Sequence, residues 1–336
     1  MLYTNSKKIS YTDTNNYKIY GRTATSENGL LISWSNSGVG IRFKGRRLEI
    51  SFATYEAEQP VWIKAFFDGK TQRFGLSGSY LKIILDFETD AVHEAKFLRI
   101  SEADQYLTFK HFTIYGKTPA VLPPPKDKKL KLEFMGDSIT TGWGVLAEKS
   151  QTGFFTYEQD STKSYAYLTA ELLDADIRTV AMGGQGVYRT CGGQEGVQFK
   201  RMFDMVLRQR EGYDHSAWTP DVMVLNCGSN DVPGGTTLEQ MYDEGSFLLD
   251  KVRKAYPNAK IIWVYGMMNN YYVDTLKKLT NDKRRAGDKN IYFLPVDLIY
   301  PRNDEVGAVG HPNVNASIRV SKKLAKFIEK ILKSKK

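Results

Sequence analysis

Apolar and polar positions alternate in short runs over the first third of the chain. Between residues 29 and 115, aromatic and β-branched residues alternate with polar ones, and turn signals such as Asp68-Gly69 separate the runs. The predicted strands cover residues 30–34, 40–43, 48–52, 61–66, 80–85, 97–100 and 109–115. Many short strands at regular spacing predict a β-sandwich of the jelly-roll kind for residues 1–118.

A segment rich in proline and lysine follows at residues 119–129. Its three consecutive prolines at 123 to 125 favour an extended backbone, and Lys126, Lys128 and Lys129 favour solvation. We predict a linker between two domains here.

From residue 130 onward, apolar strands alternate with stretches that have a helical period. Strands are predicted at 130–135, 177–182, 221–227, 260–265 and 291–296, and helices at 161–173, 197–209, 238–256 and 313–332. This alternation predicts a three-layer α/β/α domain at residues 130–336, with helices on both faces of a parallel sheet. Functional residues of such sheets lie beyond the carboxyl ends of the strands.

Composition excludes several classes of protein. A length of 336 residues agrees with two domains, and 41% apolar with 25% charged residues is typical of globular chains. No apolar run reaches the roughly 18 residues of a membrane span. The formal charge of +9 is diffuse and accompanies no nucleic-acid-binding motif, so it indicates a solvated surface. We therefore expect neither a nucleic-acid nor a membrane partner, and the oligomeric state stays open.

The first eleven residues contain no apolar stretch of the kind found in signal peptides, so a cytoplasmic location is expected. The alternative is a secreted protein whose signal is absent from this sequence. Two cysteines, Cys191 and Cys227, are too few for a disulfide framework, and free thiols are expected inside a cell. With only four histidines beside them, no metal site and no cofactor is implied.

Candidate chemistry follows three of the predicted strands. Ser138 ends the segment Gly136-Asp137-Ser138 after the first strand, Gly186 follows the second strand, and Asn230 follows the third. The carboxyl ends of parallel strands share one edge, so these residues are expected near each other. Acyl transfer needs a hydroxyl nucleophile and preorganised donors for an oxyanion. Ser138 supplies the hydroxyl, Gly186 a backbone N–H and Asn230 an amide. The competing interpretation of Ser138 alone is a helix N-cap.

The general base is identified by elimination. Two of the four histidines, His93 and His111, lie in the strand-rich part of the chain, and His215 precedes the third strand of the α/β part. His311 follows the last strand and precedes the final helix, which returns it to the carboxyl edge.

These residues resemble the SGNH, or GDSL, hydrolases from residue 130 to the end of the chain. The matching blocks are Gly136-Asp137-Ser138, Gly186, Gly228-Ser229-Asn230 and His311-Pro312. The part before residue 118 is similar to the amino-terminal jelly roll of carbohydrate esterase family 2, in Gly21-Arg22-Thr23, residues 31–43 and the hairpin at Phe67-Asp68-Gly69-Lys70.

The resemblance implies a serine esterase that removes acetyl groups from polysaccharides or oligosaccharides of xylan and mannan type, often at the sugar 6-position. It assigns Ser138 as nucleophile and His311 as base. It builds the oxyanion hole from the N–H of Ser138, the N–H of Gly186 and the side chain of Asn230. Alternatives are a carbohydrate-binding protein with a weakened hydrolase fold and a broad esterase of small substrates.

One departure concerns the acid that usually precedes the histidine by two or three residues. Those positions hold Val309 and Ala308. Loss of an orienting acid lowers the turnover of a serine protease by about 10⁴-fold. We expect a Ser–His dyad in which a backbone carbonyl holds the imidazole, with Asp304 or Glu305 as a less favoured substitute.

Further residues near these blocks have competing interpretations. Trp143 is either a platform for a sugar ring or a packing residue, and Tyr188 and Trp263 are weaker platform candidates. Asp137 and Asp231 are interpreted as structural. Cys191 is expected to be a small buried apolar residue rather than a pocket residue.

Overall fold

The computed structural model describes residues 5–102, 105–300 and 302–333, so the outermost ends of the two predicted domains lie outside the described residues. The chain divides into two compact units, Met1–Asp127 and Lys128–Lys336. The division falls inside the segment predicted as a linker. Each unit has its own apolar core.

The first unit is an antiparallel β-structure, as expected for a jelly roll. Its strands are β1 (Asn5–Ser10), β2 (Lys18–Tyr20), β3 (Thr23–Ser26), β4 (Gly29–Ile32), β5 (Gly38–Ala53), β6 (Val61–Phe67), β7 (Lys70–Leu76), β8 (Leu81–Arg99), β9 (Leu107–Gly116) and β10 (Ala120–Val121). They run in the order β3-β4-β9-β5-β8-β6-β7, with β1 paired to β9 and with β2 and β10 paired to β5.

Two strands of this unit are longer than the sequence pattern predicts. β5 joins the predicted runs 40–43 and 48–52, and β8 contains most of 80–85 together with most of 97–100. The ladder between them shifts register between Gly45 and Arg47. A shift of this kind bends a strand without ending it, so the polar residues at the bend resemble a turn in the sequence.

The beginning of the predicted linker is part of the first unit. Ala120 pairs with Lys44, and Val121 pairs with Phe43. The extended backbone expected from the prolines begins with this short ladder.

The second unit is the predicted α/β domain. Its elements are β11 (Leu130–Gly136), α1 (Ser138–Thr141), α2 (Tyr165–Leu172), β12 (Ala175–Ala181), α3 (Phe199–Met202), β13 (Met205–Leu207), β14 (Arg210–Glu211), β15 (Val222–Asn226), α4 (Leu238–Ala255), β16 (Lys260–Tyr265), α5 (Val273–Arg285), β17 (Ile291–Pro295) and α6 (Val314–Lys333). The parallel sheet has the order β12-β11-β15-β16-β17.

The sheet order places β11 between β12 and β15, and all three strands end at the same edge. Gly136, the last residue of β11, pairs with Ala181 of β12 and with Asn226 of β15. The loops that follow these three strands therefore start side by side. No helix in the described part of the chain is both long and apolar enough to cross a membrane.

One predicted helix of this unit is wrong, and one helix of the structure was not predicted. The predicted helix at 197–209 is only the single turn α3, followed by the hairpin β13–β14. Met205 and Leu207 are buried while Val206 is half-buried, an alternation of period two that a hairpin satisfies. The helix α5 was not predicted, because only Leu276, Leu279 and Thr280 of its residues are buried, which leaves a weak apolar period.

Candidate active site

The loop after β11 holds Ser138 at the start of a short helix. The Asp137 carboxylate accepts a hydrogen bond of 3.0 Å from the Ile139 N–H and caps α1. Gly136 leaves the turn tight, since a Cβ there would lie 2.1 Å from Thr140 Oγ1. The interpretation of Asp137 as a structural residue agrees with this contact. Ser138 is thus presented at the carboxyl edge by a turn whose backbone is fixed on both sides.

The loop between β17 and α6 brings His311 to Ser138. His311 Nε2 lies 2.9 Å from Ser138 Oγ, although 173 residues separate the two in the chain. His311 Nδ1 lies 3.3 Å from the carbonyl oxygen of Val309. A carbonyl can only accept, so this contact requires the hydrogen on Nδ1. The lone pair of Nε2 then faces the Ser138 hydroxyl, as a general base requires.

The backbone at Val309 is in the left-handed region, with φ 47° and ψ 38°. This conformation is strained for a β-branched residue and is found where surrounding contacts enforce it. The Val309 N–H donates to the Gln151 carbonyl over 3.1 Å, and the His311 N–H donates to the Ala308 carbonyl over 2.9 Å. These contacts hold the Val309 carbonyl beside the imidazole.

Of the two residues proposed as substitutes for the missing acid, Glu305 has another partner for its carboxylate. Glu305 is buried and binds the Arg319 guanidinium with both carboxylate oxygens, at 2.7 and 2.6 Å. Asp304 offers its backbone carbonyl to the side chains of Asn313 and Asn315. Glu305 is therefore engaged by Arg319 and does not orient the imidazole.

The environment of His311 favours the neutral imidazole. Burial lowers its pKa from 6.5 to about 4, because the imidazolium loses solvation, and the carbonyls of Val309 and Ala308 oppose this shift only in part. At neutral pH the ring is an unprotonated acceptor.

Two further loops carry the candidate oxyanion donors. Asn230, after β15, donates through Nδ2 to the Gln185 carbonyl over 2.9 Å and more weakly to Asp137 over 3.3 Å. Asn230 thus joins the residue before Gly186 to the residue before Ser138. In the part of the chain that the structure describes, no acceptor binds the N–H of Ser138 or of Gly186. Both N–H groups remain available for a developing negative charge.

An aromatic pair covers the base. The Trp143 ring centre lies 4.2 Å from that of His311, and Trp143 stacks on Phe154 at 5.7 Å with an interplanar angle of 21°. Phe154 is partly exposed and was not predicted as a site residue, although it lies in the same connection between β11 and α2 as Trp143. Its neighbours Phe155 and Tyr157 were the signal that could have indicated an aromatic surface there.

The remaining candidates lie outside this pair. Trp263 is fully buried and donates to the Cys227 carbonyl, so it is a core residue, as the sequence favoured.

Both cysteines are free. The expectation that Cys191 is buried is wrong: it is exposed, in a glycine-rich turn that is too short to enclose a side chain. Within the described residues no group of three or more potential metal ligands occurs.

The model of the GDSL-like lipase/acylhydrolase family matches residues 134–315, which is more than half of the chain. The chain belongs to this family. A second model, the amino-terminal domain of carbohydrate esterase family 2, matches residues 19–125. The resemblance to carbohydrate esterase family 2 and the two-part fold expected from it are confirmed.

Known relatives extend this result. The chain is 28% identical over 304 residues to cellulase/esterase CelE of Acetivibrio thermocellus, covering 85% of this chain and 36% of CelE. It is 24% identical to an acetylxylan esterase/glucomannan deacetylase of Cellvibrio japonicus, covering 74% of this chain and 70% of that protein. This chain thus spans about a third of the length of CelE.

Solved structures agree in fold. An acetyl xylan esterase of Butyrivibrio proteoclasticus has a TM-score of 0.89 at 22% identity, covering 97% of this chain and 99% of that one. A family two carbohydrate esterase of Clostridium thermocellum, solved in complex with cellohexaose, has a TM-score of 0.87 at 25% identity, covering 94% and 99%.

Proposed function

We propose that this protein is a serine esterase that removes O-acetyl groups from plant polysaccharides or their oligosaccharides. The observation that carries the proposal is the 2.9 Å contact between Ser138 Oγ and His311 Nε2, with the opposite ring nitrogen on the Val309 carbonyl. This arrangement fits a Ser–His dyad oriented by the backbone.

In the proposed reaction, His311 accepts the Ser138 proton while Oγ attacks the acetyl carbonyl carbon. The oxyanion formed is stabilised by the N–H groups of Ser138 and Gly186, and the Asn230 amide joins them by giving up its longer, 3.3 Å contact with Asp137 while it keeps its bond to the Gln185 carbonyl. When the tetrahedral intermediate collapses, the sugar oxygen leaves with the proton from His311, and the acetyl group stays on Ser138. Water then attacks this ester, with His311 again as the base, and acetate leaves as Ser138 regains its proton.

The carbonyl of Val309 replaces the usual carboxylate in this scheme. It carries a partial negative charge, so it stabilises the transient imidazolium less than a carboxylate would. The half-buried position of His311 further disfavours the imidazolium, since it lowers the pKa of the ring. The dyad therefore relies on orientation of the ring and on the oxyanion donors for most of its rate acceleration.

The class of substrate is supported by the relatives, whose names include acetylxylan and glucomannan, and by the cellohexaose bound to a relative at 25% identity. We propose that Trp143 and Phe154 together provide an apolar face for a sugar ring beside His311. Aromatic side chains stack on the C–H face of a pyranose and bury apolar area.

The direct test is acetate release from acetylated xylan and acetylated glucomannan oligosaccharides, with Ser138→Ala as the control. We expect release by the wild-type protein and none above background by Ser138→Ala. Equal release by both proteins would contradict the role of Ser138. A preference for longer acyl chains on aryl esters would instead support a broad esterase of small substrates.

A second candidate is a carbohydrate-binding protein with little turnover. The absence of a carboxylate on His311 Nδ1 among the described residues favours it, because such a partner normally strengthens the base. Calorimetric binding of deacetylated oligosaccharides by a protein that releases no acetate would establish this alternative.

A further inference from the structure

Asp231, which the sequence indicates only as structural, holds the loop that carries Gly186. Its carboxylate accepts three consecutive backbone hydrogen bonds, from the N–H groups of Val187 at 2.8 Å, Tyr188 at 2.9 Å and Arg189 at 3.1 Å. The Thr236 hydroxyl donates a fourth at 3.1 Å. Asp231 is completely buried. A buried carboxylate with four donors is tightly localised, since losing any donor leaves a desolvated charge less compensated.

The neighbouring residue fixes the other side of Gly186. Asn230 Nδ2 donates to the Gln185 carbonyl, which belongs to the same peptide group as the Gly186 N–H. The C=O and N–H of a trans peptide point in opposite directions, so a bond to one sets the direction of the other. Asn230 and Asp231 therefore restrain the backbone immediately before and immediately after Gly186.

Of the four successive N–H groups from 186 to 189, the carboxylate takes the last three. The N–H of Gly186 has no acceptor among the described residues. The turn also excludes a side chain at this position, because a Cβ on Gly186 would lie 1.8 Å from the Arg189 carbonyl and 2.7 Å from Asp231 Oδ2. The Asp231 carboxylate thus occupies three of these four N–H donors, and only the Gly186 N–H remains available to a substrate.

We propose that Asp231 is a positioning residue of the oxyanion hole, whose carboxylate holds residues 187–189 so that the Gly186 N–H is kept for the oxyanion. The proposal rests on the esterase function proposed above. Loss of one oxyanion donor lowers kcat by about 10²- to 10³-fold in a serine protease, which sets the upper range for loss of its positioning. The substrate contacts Gly186 mainly through the transition state, so KM is expected to change little.

The first experiment compares Asp231→Asn with Thr236→Val on 4-nitrophenyl acetate. Asp231→Asn keeps the shape but removes the negative charge and replaces one carboxylate oxygen by an NH2 group, which cannot accept from the N–H that it faces. We expect kcat to fall about 10- to 100-fold with KM within about threefold. Thr236→Val removes the one donor to this carboxylate that lies outside residues 187–189 and leaves the three N–H bonds in place, so kcat should fall clearly less than in Asp231→Asn, by about threefold at most.

Methylboronic acid supplies a readout that a merely structural role would not move. Ser138 Oγ bonds to its boron and the hydroxyl proton passes to His311, which gives a tetrahedral anion that mimics the oxyanion intermediate. In Asp231→Asn, the inhibition constant should rise by the same factor as kcat/KM falls. Unchanged inhibition alongside reduced kcat/KM would overturn the positioning role, as would wild-type kcat.

A second measurement uses the wild-type protein and does not depend on folding of a variant. In amide NMR, methylboronic acid should shift the Gly186 amide proton downfield and leave those of Val187 and Tyr188, which already bond to Asp231, nearly unchanged. Shifts at Val187 and Tyr188 without one at Gly186 would overturn the proposal. Turnover that persists at the wild-type rate in Ser138→Ala would instead refute the proposed serine mechanism. Fast hydrogen exchange at residues 187–189 would refute only the proposal that Asp231 holds these residues.

Discussion

The α/β unit contains two histidines with opposite surroundings. His215 has the carboxylate partner that a catalytic histidine usually has: its Nε2 lies 3.2 Å from Asp204 Oδ1, and its Nδ1 lies 3.1 Å from the Tyr256 hydroxyl. His311 has no such carboxylate, yet its Nε2 meets a serine hydroxyl. If a neighbouring carboxylate were the only criterion for the catalytic base, His215 would be chosen instead of His311.

The two histidines differ in whether a ring nitrogen remains available to accept a proton from a nucleophile. Both nitrogens of His215 have partners inside the fold, and its ring stacks on Phe203 at 4.2 Å. Tyr256 in turn donates to the fully buried Glu133. This cluster precedes β15, at the amino ends of the strands, whereas His311 follows β17 at the carboxyl ends. A histidine–carboxylate pair is structural when every polar atom of the ring is used.

Exchange of each histidine for asparagine should separate the two roles most clearly. We expect His311→Asn to lower kcat by at least about 10³-fold, because knockouts of a nucleophile–base pair remove nearly all of its contribution. His215→Asn should keep kcat within about twofold and lower the free energy of unfolding by about 1–3 kcal/mol, since it unpairs buried groups. Acetate release and urea unfolding measure these effects. A comparable loss of kcat in both variants would contradict the comparison.

The pH profile should report the environment of His311. The reaction needs the neutral imidazole, and the pKa of His311 is lowered to about 4, so kcat/KM should stay level from neutral pH down to about 5 and fall tenfold per pH unit below 4. An acid limb near 6.5 would show an ordinary imidazole instead. Circular dichroism over the same range controls for acid unfolding.

The next prediction tests whether Glu305 or Asp304 replaces the carboxylate that usually orients the catalytic histidine. Glu305→Gln removes the negative charge and one of the two hydrogen bonds to Arg319, so we expect a loss of stability of about 1–3 kcal/mol with kcat within about twofold. Asp304→Asn, on the same turn, serves as the matched variant and should change neither quantity. A large drop in kcat for either variant would show that a carboxylate does support His311.

The smallest effect is expected at Val309. Asparagine tolerates the left-handed backbone better than valine, and the Val309 side chain is half exposed, so little burial is lost. Val309→Asn should stabilise the protein by about 1 kcal/mol and keep kcat within about threefold, because the carbonyl stays in place. Thermal unfolding and acetate release provide the test. Destabilisation would indicate that the left-handed conformation is not strained here.

The alternation of apolar positions sufficed to predict all five strands of the parallel sheet, five of the ten strands of the first unit, and the change from an all-β to an α/β unit. The prediction failed where the spacing of apolar residues in the sequence does not match the spacing of buried residues in the fold. The hairpin after α3 was mistaken for a helix, and α5 was missed because its solvated face dominates its composition. β5 and β8 were divided at their bends, since a polar stretch inside a strand resembles a turn in sequence.

The candidate site shows the same division. Order along the chain identified Ser138, Gly186, Asn230 and His311, because parallel strands must end at one edge and the loops that follow them inherit that position. The partner of His311 Nδ1 was foreseen only as some backbone carbonyl. Phe154 was not foreseen, because the connection of 23 residues between α1 and α2 can place an aromatic side chain in many directions.

The sequence by itself therefore determined the two units, the edge at which the chemistry lies and the residue types available there, since these follow from periodicity and connectivity. Only the tertiary structure decided that Val309 turns its carbonyl to the imidazole, that Glu305 is committed to Arg319, and that Asp231 takes three N–H groups and leaves that of Gly186. The reason is physical. Hydrogen-bond partners far apart in the chain are chosen by the direction of individual peptide groups, and no local pattern of residues encodes that direction.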